Sequence, residues 1–303
     1  MTAEPVAVVV LSWNGREDTL ACLRSLAAVD YPELVRIVVD NGSADGTVAA
    51  VEDEFPGVEV VASEVNLGFA EGNNLGIRRA LELGASYVLV LNNDVEVDPG
   101  FVTALVEEAR RQPDAGALCS KIFYVDPPDL IWFAGASFDP RSGYNGRQRG
   151  YRKHDDGSFD ELFETDRACG AAMLVPRRVL EDVGLFDTAL FCYSEDTEWS
   201  LRARAAGYHH FVVPRSKVWH KVSVSSGGES SPTTLYYGLR NTIEVYERYA
   251  PLGPLGTWRR RLVLLAAHVV QALLSRCRRE GLAAVAQGWR DVRARRFGQR
   301  SSR

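Results

Sequence analysis

Cysteine is scarce and scattered: Cys22, Cys119, Cys169, Cys192 and Cys277 are an odd number, with no CxxC pair among them. That spacing argues against a zinc cluster or a secreted disulfide framework and predicts buried thiols in a reducing compartment. The N-terminal stretch has no basic n-region. The opening MTAEPVAVVVLSWNG has an apolar run of only six residues and reads as a first strand, not a signal peptide. The C-terminal apolar run Leu262–Leu274 has thirteen residues, with His268 and Gln271 inside it. A bilayer span needs roughly 20 residues, so a helix lying on a surface fits better than one crossing a membrane. Internal repeats and low-complexity segments are also absent.

What is present is ordinary for a soluble globular chain: 303 residues, 46% apolar and 25% charged. This length accommodates one large α/β domain with an appendage and excludes intrinsic disorder and a mini-protein scaffold. The net charge of −5 conceals a split, because residues 259–303 hold twelve arginines, no lysine and only Glu280 and Asp291. The tail therefore carries +10 of a total of −5, which leaves −15 on the body. No nucleic-acid partner is expected.

Short β-branched runs alternate with amphipathic stretches through the first half, the pattern of βαβ units and a mixed, mainly parallel sheet. Strands are expected at Val6–Leu11, Val35–Val39, Val58–Ala62, Tyr87–Leu91 and Ala115–Lys121. Between them Leu20, Leu23 and Leu26 recur at helical spacing, as do Ala80, Leu81 and Leu83, and Val102, Leu105 and Val106. The strands run out into Asn, Asp and Gly, at the carboxyl ends where open α/β sheets bind ligands. From Ile131 to Phe163 a hairpin or mobile loop is expected. An apolar stretch Cys169–Val175 follows, then a short helix near Pro176–Val183 and an amphipathic helix Ser194–Ala206. Strands are expected at His209–Val213 and Lys217–His220 and a helix at Thr233–Tyr249, with Pro251–Pro254 as a linker to the tail.

Four constellations could carry chemistry. In VVDNGSADGT (38–47) a buried strand ends at Asp40, which can accept hydrogen bonds from a ligand while Gly42 and Gly46 permit close backbone approach. An Asx turn capping the next helix explains the same residues. In LVLNNDVEVDP (89–99) an apolar strand delivers Asn92, Asn93, Asp94 and Glu96 to the sheet edge, where hard oxygen donors suit a divalent cation beside a phosphate. A helix cap is the competing use, and Asp98-Pro99 already supplies it. In CYSEDTEWSLR (192–202), Glu195 and Asp196 fall in the first turn of a helix. There the macrodipole favours their ionised forms, and a carboxylate can act as general base. N-terminal capping explains one acid better than it explains Glu195, Asp196 and Glu198 together. In VWHKV (218–222), His220 sits at a strand end, and a lone histidine is more often a packed or surface residue than a metal ligand.

Taken together, these segments resemble the family 2 glycosyltransferases of GT-A fold, particularly their rhamnosyltransferase-like branch. The matching pieces are VVVLSWNG (8–15), VDNGSADGT (39–47), NLGFAEGNNLGI (66–77), LNNDVEVDP (91–99), GLFD (184–187), SEDTEWSLRARAAGY (194–208), VWHKVS (218–223) and YYGLRN (236–241). No single piece is decisive, but eight in family order are highly specific.

The resemblance implies a GT-A domain over 1–250, its nucleotide-binding half about 1–125 and its acceptor or catalytic half about 126–250, followed by a basic amphipathic helical tail, 251–303. It implies that Asp40 and Asn41 bind the nucleotide, that Trp13 and Asn14 line the same pocket, and that Asn66, Gly68 and Asn74 lie in a glycine-rich loop near ribose and diphosphate. Asp94 matches the last acid of the family's DxD motif, with Asn92 standing where that motif has its first Asp and Asn93 between them. Asp94 and His220 would hold Mg²⁺ or Mn²⁺, and Asp196, beside Glu195, would be the catalytic base. The implied reaction is inverting sugar transfer from a dTDP- or UDP-sugar, dTDP-rhamnose first, to a glycan or lipid-linked acceptor in cell-envelope polysaccharide synthesis.

Trp132, Phe133, the Gly135–Tyr151 stretch and Trp199 are candidates for the acceptor side, with core packing the stronger alternative for Trp199. Tyr236, Arg240 and Asn241 share one helix face, where Arg240 could contact phosphate or form an internal ion pair. The basic tail could dock on the inner face of a membrane from the cytoplasm, or pair helices in a homo-oligomer. A nucleotidyltransferase and a non-catalytic sugar-nucleotide or membrane-binding scaffold are the alternative functions.

Overall fold

The computed structural model describes residues 3–138, 147–222 and 230–301. Its elements are, in order, β1 (Val6–Ser12), α1 (Arg16–Ala27), β2 (Leu34–Asn41), α2 (Thr47–Glu54), β3 (Glu59–Ser63), α3 (Gly68–Glu82), β4 (Tyr87–Asn92), β5 (Val95–Val97), α4 (Phe101–Arg111) and β6 (Ala115–Tyr124). There follow β7 (Ile131–Phe133), β8 (Ala136–Ser137), β9 (Arg147–Gln148), β10 (Phe163–Thr165), β11 (Ala172–Pro176), α5 (Arg177–Val183), α6 (Glu195–Ala205), β12 (His209–His220), α7 (Pro232–Tyr249), α8 (Pro254–Leu274) and α9 (Arg278–Arg293).

Ten strands form one sheet, with path order β10-β12-β6-β11-β4-β1-β2-β3 and with β5 and β7 attached to β12 and β6. The expected parallel unit is there: β3, β2, β1 and β4 pair in parallel. Val6–Val10 and Val88–Leu91 are buried on both faces, which is why these strands read as unbroken apolar runs and not as alternations. Next to β4 the direction changes, because β11 runs antiparallel to both β4 and β6, while β12 is parallel to β6. Helix α3 lies close on β1 and β2 because Gly76 carries no Cβ to strike Val9 and Val39.

Two expectations change. The two strands anticipated around 209–220 are one, with a register shift between Val213 and Lys217 that bends it past Pro214. The hairpin expected after Ile131 is present as the antiparallel pair β8 and β9, with residues 139–146 of the Gly135–Tyr151 stretch lying outside the described residues. Pro254 is not in a linker but opens α8, where a missing N–H costs nothing. Cys22, Cys119 and Cys169 are buried as anticipated, whereas Cys277 is exposed. The tail helices lie against α7 through a second apolar cluster: Leu235, Leu239 and Ile243 meet Leu264, Ala272, Val285 and Val292.

Candidate active site

The topology brings the chemistry to one edge. β1, β2, β4 and β12 point the same way and β11 runs against them, so the ends of those four strands meet the residues that precede β11. Asp40 is buried there. Its Oδ2 accepts from the Ser43 amide at 3.0 Å, while Oδ1 has no partner. An open carboxylate oxygen inside a protein is costly until a donor meets it. Asn14, at φ 51°, ties this turn to the β1 end: its amide donates to Ser43 Oγ at 2.9 Å and its Oδ1 accepts from the Ala44 amide at 2.8 Å. Trp13 beside it stays exposed.

Most of the asparagines expected in the nucleotide pocket build its frame instead. Asn41 Oδ1 accepts from the Leu67 amide at 2.9 Å, and its Nδ2 donates to the Gly68 carbonyl at 3.1 Å and Asn66 Oδ1 at 3.2 Å. Asn74 Nδ2 donates to the Phe186 carbonyl at 2.9 Å, and its Oδ1 accepts from the Phe186 amide at 3.0 Å. Asn93 Nδ2 donates to Thr19 Oγ1 at 3.0 Å. The Asn66–Asn74 segment is mostly helix, not a loop, entered at Gly68, whose φ of +83° and closeness to the Phe191 carbonyl leave no room for a side chain.

Asp94 and His220 meet across β5 and β12, Oδ1 to Nε2 at 2.9 Å, with Asn92 Nδ2 3.3 Å from the same ring nitrogen. His220 Nδ1 is buried without a partner, and Trp132 sets its ring edge-on to the imidazole at 4.7 Å. Burial pushes the Asp94 carboxyl up, but hydrogen bonding and charge from His220 outweigh it and hold the group below the usual carboxylate range. Among the described residues no three His, Cys, Asp or Glu side chains converge on a metal position. One carboxylate and one imidazole nonetheless suit a divalent cation that takes its remaining ligands from a diphosphate and water.

The α6 acids sit one strand away. Asp196 Oδ2 accepts from the Gly170 amide at 3.2 Å, and Oδ1 accepts from the Thr197 amide at 2.6 Å and Thr197 Oγ1 at 3.1 Å. Ala171, next to Gly170, accepts from the Asn92 amide at 3.1 Å. Two consecutive residues thus tie Asp196 to the end of β4 that carries Asp94. Glu195 departs from expectation: burial, then the charge of Asp196, pushes its carboxyl up to about 8, and Oε2 has no partner. Desolvation outweighs the macrodipole here because the first turn of α6 faces inward.

The loop before these acids is strained, with Phe191, Tyr193 and Ser194 at φ of 65°, 65° and 69°. Asn241 holds it, Nδ2 donating to the carbonyls of Leu190, Cys192 and Tyr193 at 2.8, 2.8 and 2.7 Å. Arg240 is a further clamp and not an open phosphate ligand. Its buried guanidinium donates to Asn241 Oδ1, the Tyr236 hydroxyl and the carbonyls of Gly298 and Leu190. Trp199 is core, its Nε1 donating to the Gly184 carbonyl at 2.8 Å. One residue had no sequence signal at all: Arg167 lies over the Phe133 ring at 5.8 Å, its charge lowers the Glu195 carboxyl, and its buried Nε has no partner.

Residues 7–184 match the family model described as glycosyl transferase family 2. The chain is 28% identical over 307 residues, covering 91% of it and 96% of the relative, to N-acetylglucosaminyl-diphospho-decaprenol L-rhamnosyltransferase of Mycobacterium tuberculosis. Among solved structures it resembles GalNAc-T7 with UDP, GalNAc and Mn²⁺, at TM-score 0.62 and 17% identity over 80% of this chain and 48% of that one. It also resembles mannosyltransferase PcManGT of Pyrobaculum calidifontis with GDP-Man and Mn²⁺, at TM-score 0.57 and 17% identity over 97% and 78%. A family match across more than half of the 303 residues, on a sheet of the kind those structures share, means that the chain belongs to glycosyltransferase family 2 and is a sugar-transferring enzyme of GT-A fold.

Proposed function

We propose that this enzyme transfers a sugar, with rhamnose from dTDP-rhamnose as the leading donor and a UDP-sugar as the alternative, to a hydroxyl of a glycan or lipid-linked acceptor in cell-envelope polysaccharide assembly. Similarity to a rhamnosyltransferase over nearly the whole of both chains supports the donor and the lipid-linked acceptor. The observation that supports the chemistry is the link from Asp196 through Gly170 and Ala171 to Asn92, which ties that carboxylate to the strand end that runs into Asp94.

Asp40 Oδ1 receives an N–H of the nucleotide base. Asp94 and His220 would hold Mg²⁺ or Mn²⁺, which would supply positive charge to the diphosphate leaving group. Asp196 takes the proton of the acceptor hydroxyl as its oxygen bonds to the anomeric carbon, and the bond from that carbon to the diphosphate breaks on the opposite side. Configuration inverts because a single displacement takes place. Glu195, neutral, is not a second base. Trp132, beside His220, offers an aromatic face to the acceptor sugar. The work is done at the cytoplasmic side of the membrane, with residues 251–303 at the lipid surface.

A thermal-shift panel of nucleotide sugars with and without Mn²⁺ or Mg²⁺ tests the reading, since a matching donor stabilises the folded state by mass action. Stabilisation by dTDP-rhamnose with metal, and release of dTDP on adding a polyprenyl-diphospho-sugar, are expected. A panel in which no nucleotide sugar stabilises the protein overturns the donor assignment, and release of pyrophosphate would mark a nucleotidyltransferase.

A further inference from the structure

Helix α8 has two unlike faces. Leu264, His268 and Ala272, four residues apart, turn inward: Leu264 and Ala272 belong to the cluster around α7, and His268 Nε2 lies beside Gly238. The opposite face is apolar and uncovered, with Leu255 and Leu274 at its ends 85% and 83% exposed and Trp258, Leu262, Val263 and Val270 exposed between them. A continuous apolar stripe of this length on a surface marks an interaction site.

Charge says which partner fits. Arg259 near the start of the stripe and Arg276, Arg278 and Arg279 just past its end are exposed and make no ion pair among the described residues. On the body, by contrast, surface arginines such as Arg24, Arg78 and Arg110 are paired with glutamates. α8 itself contains no acid, and no helix among the described residues is long and apolar enough to cross a membrane. An apolar face flanked by unpaired cations is complementary to an anionic bilayer, with side chains among the acyl chains and guanidinium groups at the phosphates.

We propose that the outer face of α8 is the membrane-docking surface of this enzyme, lying in the interface of an anionic bilayer. The C-terminal half of α8 is linked through the start of α7 to the loop before the α6 acids. Gln271 Nε2 donates to Ser230 Oγ at 3.3 Å, and Ser230 adjoins the start of α7, where Thr234 meets the Tyr193 hydroxyl at 2.9 Å, two residues before Glu195. Docking along α8 therefore sets the loop before Asp196 near the lipid surface that would carry a lipid-linked acceptor. The docking surface stands on its own observations, and its service to catalysis rests on the transferase reading.

The test uses the full chain, sedimented with vesicles of phosphatidylcholine alone or with about a third phosphatidylglycerol. Two triple variants accompany it: Leu262→Ser, Val270→Ser, Leu274→Ser, and Arg276→Glu, Arg278→Glu, Arg279→Glu. All six positions are exposed, so melting temperatures are expected to stay close to that of the parent chain. The parent chain should pellet with anionic vesicles only, and each triple variant should lose about tenfold or more in partition. Thermal shift by nucleotide sugar should be the same in all three proteins, so its absence would count against the transferase reading and not against docking. Failure of the parent chain to bind anionic vesicles, or equal binding by the serine variant, overturns docking. A parent dimer in light scattering that becomes monomeric in the serine variant would overturn it too, giving the face to a second copy.

Discussion

His220 Nε2 stands 2.9 Å from Asp94 Oδ1, and strand register brings them together: Val95 on β5 pairs with His220 on β12, which leaves Asp94 one residue beyond the ladder. The Lys221 amide then donates to the Asp94 carbonyl at 2.9 Å and closes the corner. Asp94→Ala and His220→Ala are each expected to weaken nucleotide–Mn²⁺ binding by about tenfold or more in calorimetry. Unchanged affinity in both would remove the metal assignment.

Asp196→Asn should reduce transfer by about 10²–10⁴-fold with donor binding nearly intact. The amide keeps one acceptor oxygen for the Thr197 donors, presents its NH2 group where Oδ2 met the Gly170 amide, and cannot take a proton. Steady-state turnover within a few-fold of the parent enzyme would rule out Asp196 as base.

Asp40→Ala deletes the open Oδ1 together with the Oδ2 acceptor of the Ser43 amide, while the Asn14–Ser43 and Asn14–Ala44 bonds do not involve it. Nucleotide affinity is expected to fall by about tenfold, the worth of one hydrogen bond to a charged acceptor. Equal nucleotide titration curves for the two proteins would place the base elsewhere.

Glu195 makes stability depend on pH. An unfolded glutamate titrates at about 4.3, while burial raises the folded group to about 8. Between these values the folded chain keeps a proton that the unfolded chain has lost, so Glu195 makes stability fall as pH rises through that window and level off above it. Glu195→Gln is neutral throughout. It should melt above the parent chain at pH 8, by a margin that disappears at about pH 4. Melting curves that differ by a constant amount across the window would contradict the buried neutral carboxyl.

Arg240→Ala should destabilise the protein by about 1–3 kcal/mol, since it leaves the buried Asn241 Oδ1 without its donor and takes one from the part-buried Gly298 carbonyl, while the Leu190 carbonyl keeps Asn241 Nδ2. Chemical denaturation would measure this. Donor affinity, extrapolated to the folded fraction, should stay the same, whereas a phosphate ligand would lose it.

Local pattern determined a good deal. The runs that became β1, β4, β6 and the second half of β2 are legible because strands buried on both faces need apolar side chains, the edge strand β3 is legible from its short β-branched run, and the polar strand ends mark the ligand edge. Asp40, Asp94 and His220 stand out in the sequence because each ends or follows such a run, and Asp196 because it stands with Glu195 and Glu198 in the first turn of a helix. The direction of β11 is not legible, since an antiparallel strand and a parallel one share the same buried pattern. Without that direction nothing places Gly170 against Asp196.

Chain order therefore named the acids and the imidazole, and tertiary structure decided which of their neighbours are frame and which stay open. Asn74 and Asp40 look alike as polar residues in glycine-rich motifs, but Asn74 spends both polar atoms on Phe186, 112 positions away, while Asp40 keeps Oδ1 free. Glu195 and Asp196 are consecutive acids in one helix turn, yet Glu195 is buried with Oε2 unpartnered and driven to the neutral form, while Asp196 meets the Gly170 and Thr197 amides. The physical reason is the same in both cases. Hydrogen-bond satisfaction and desolvation depend on partners distant in the chain, and only the folded packing brings those partners within reach.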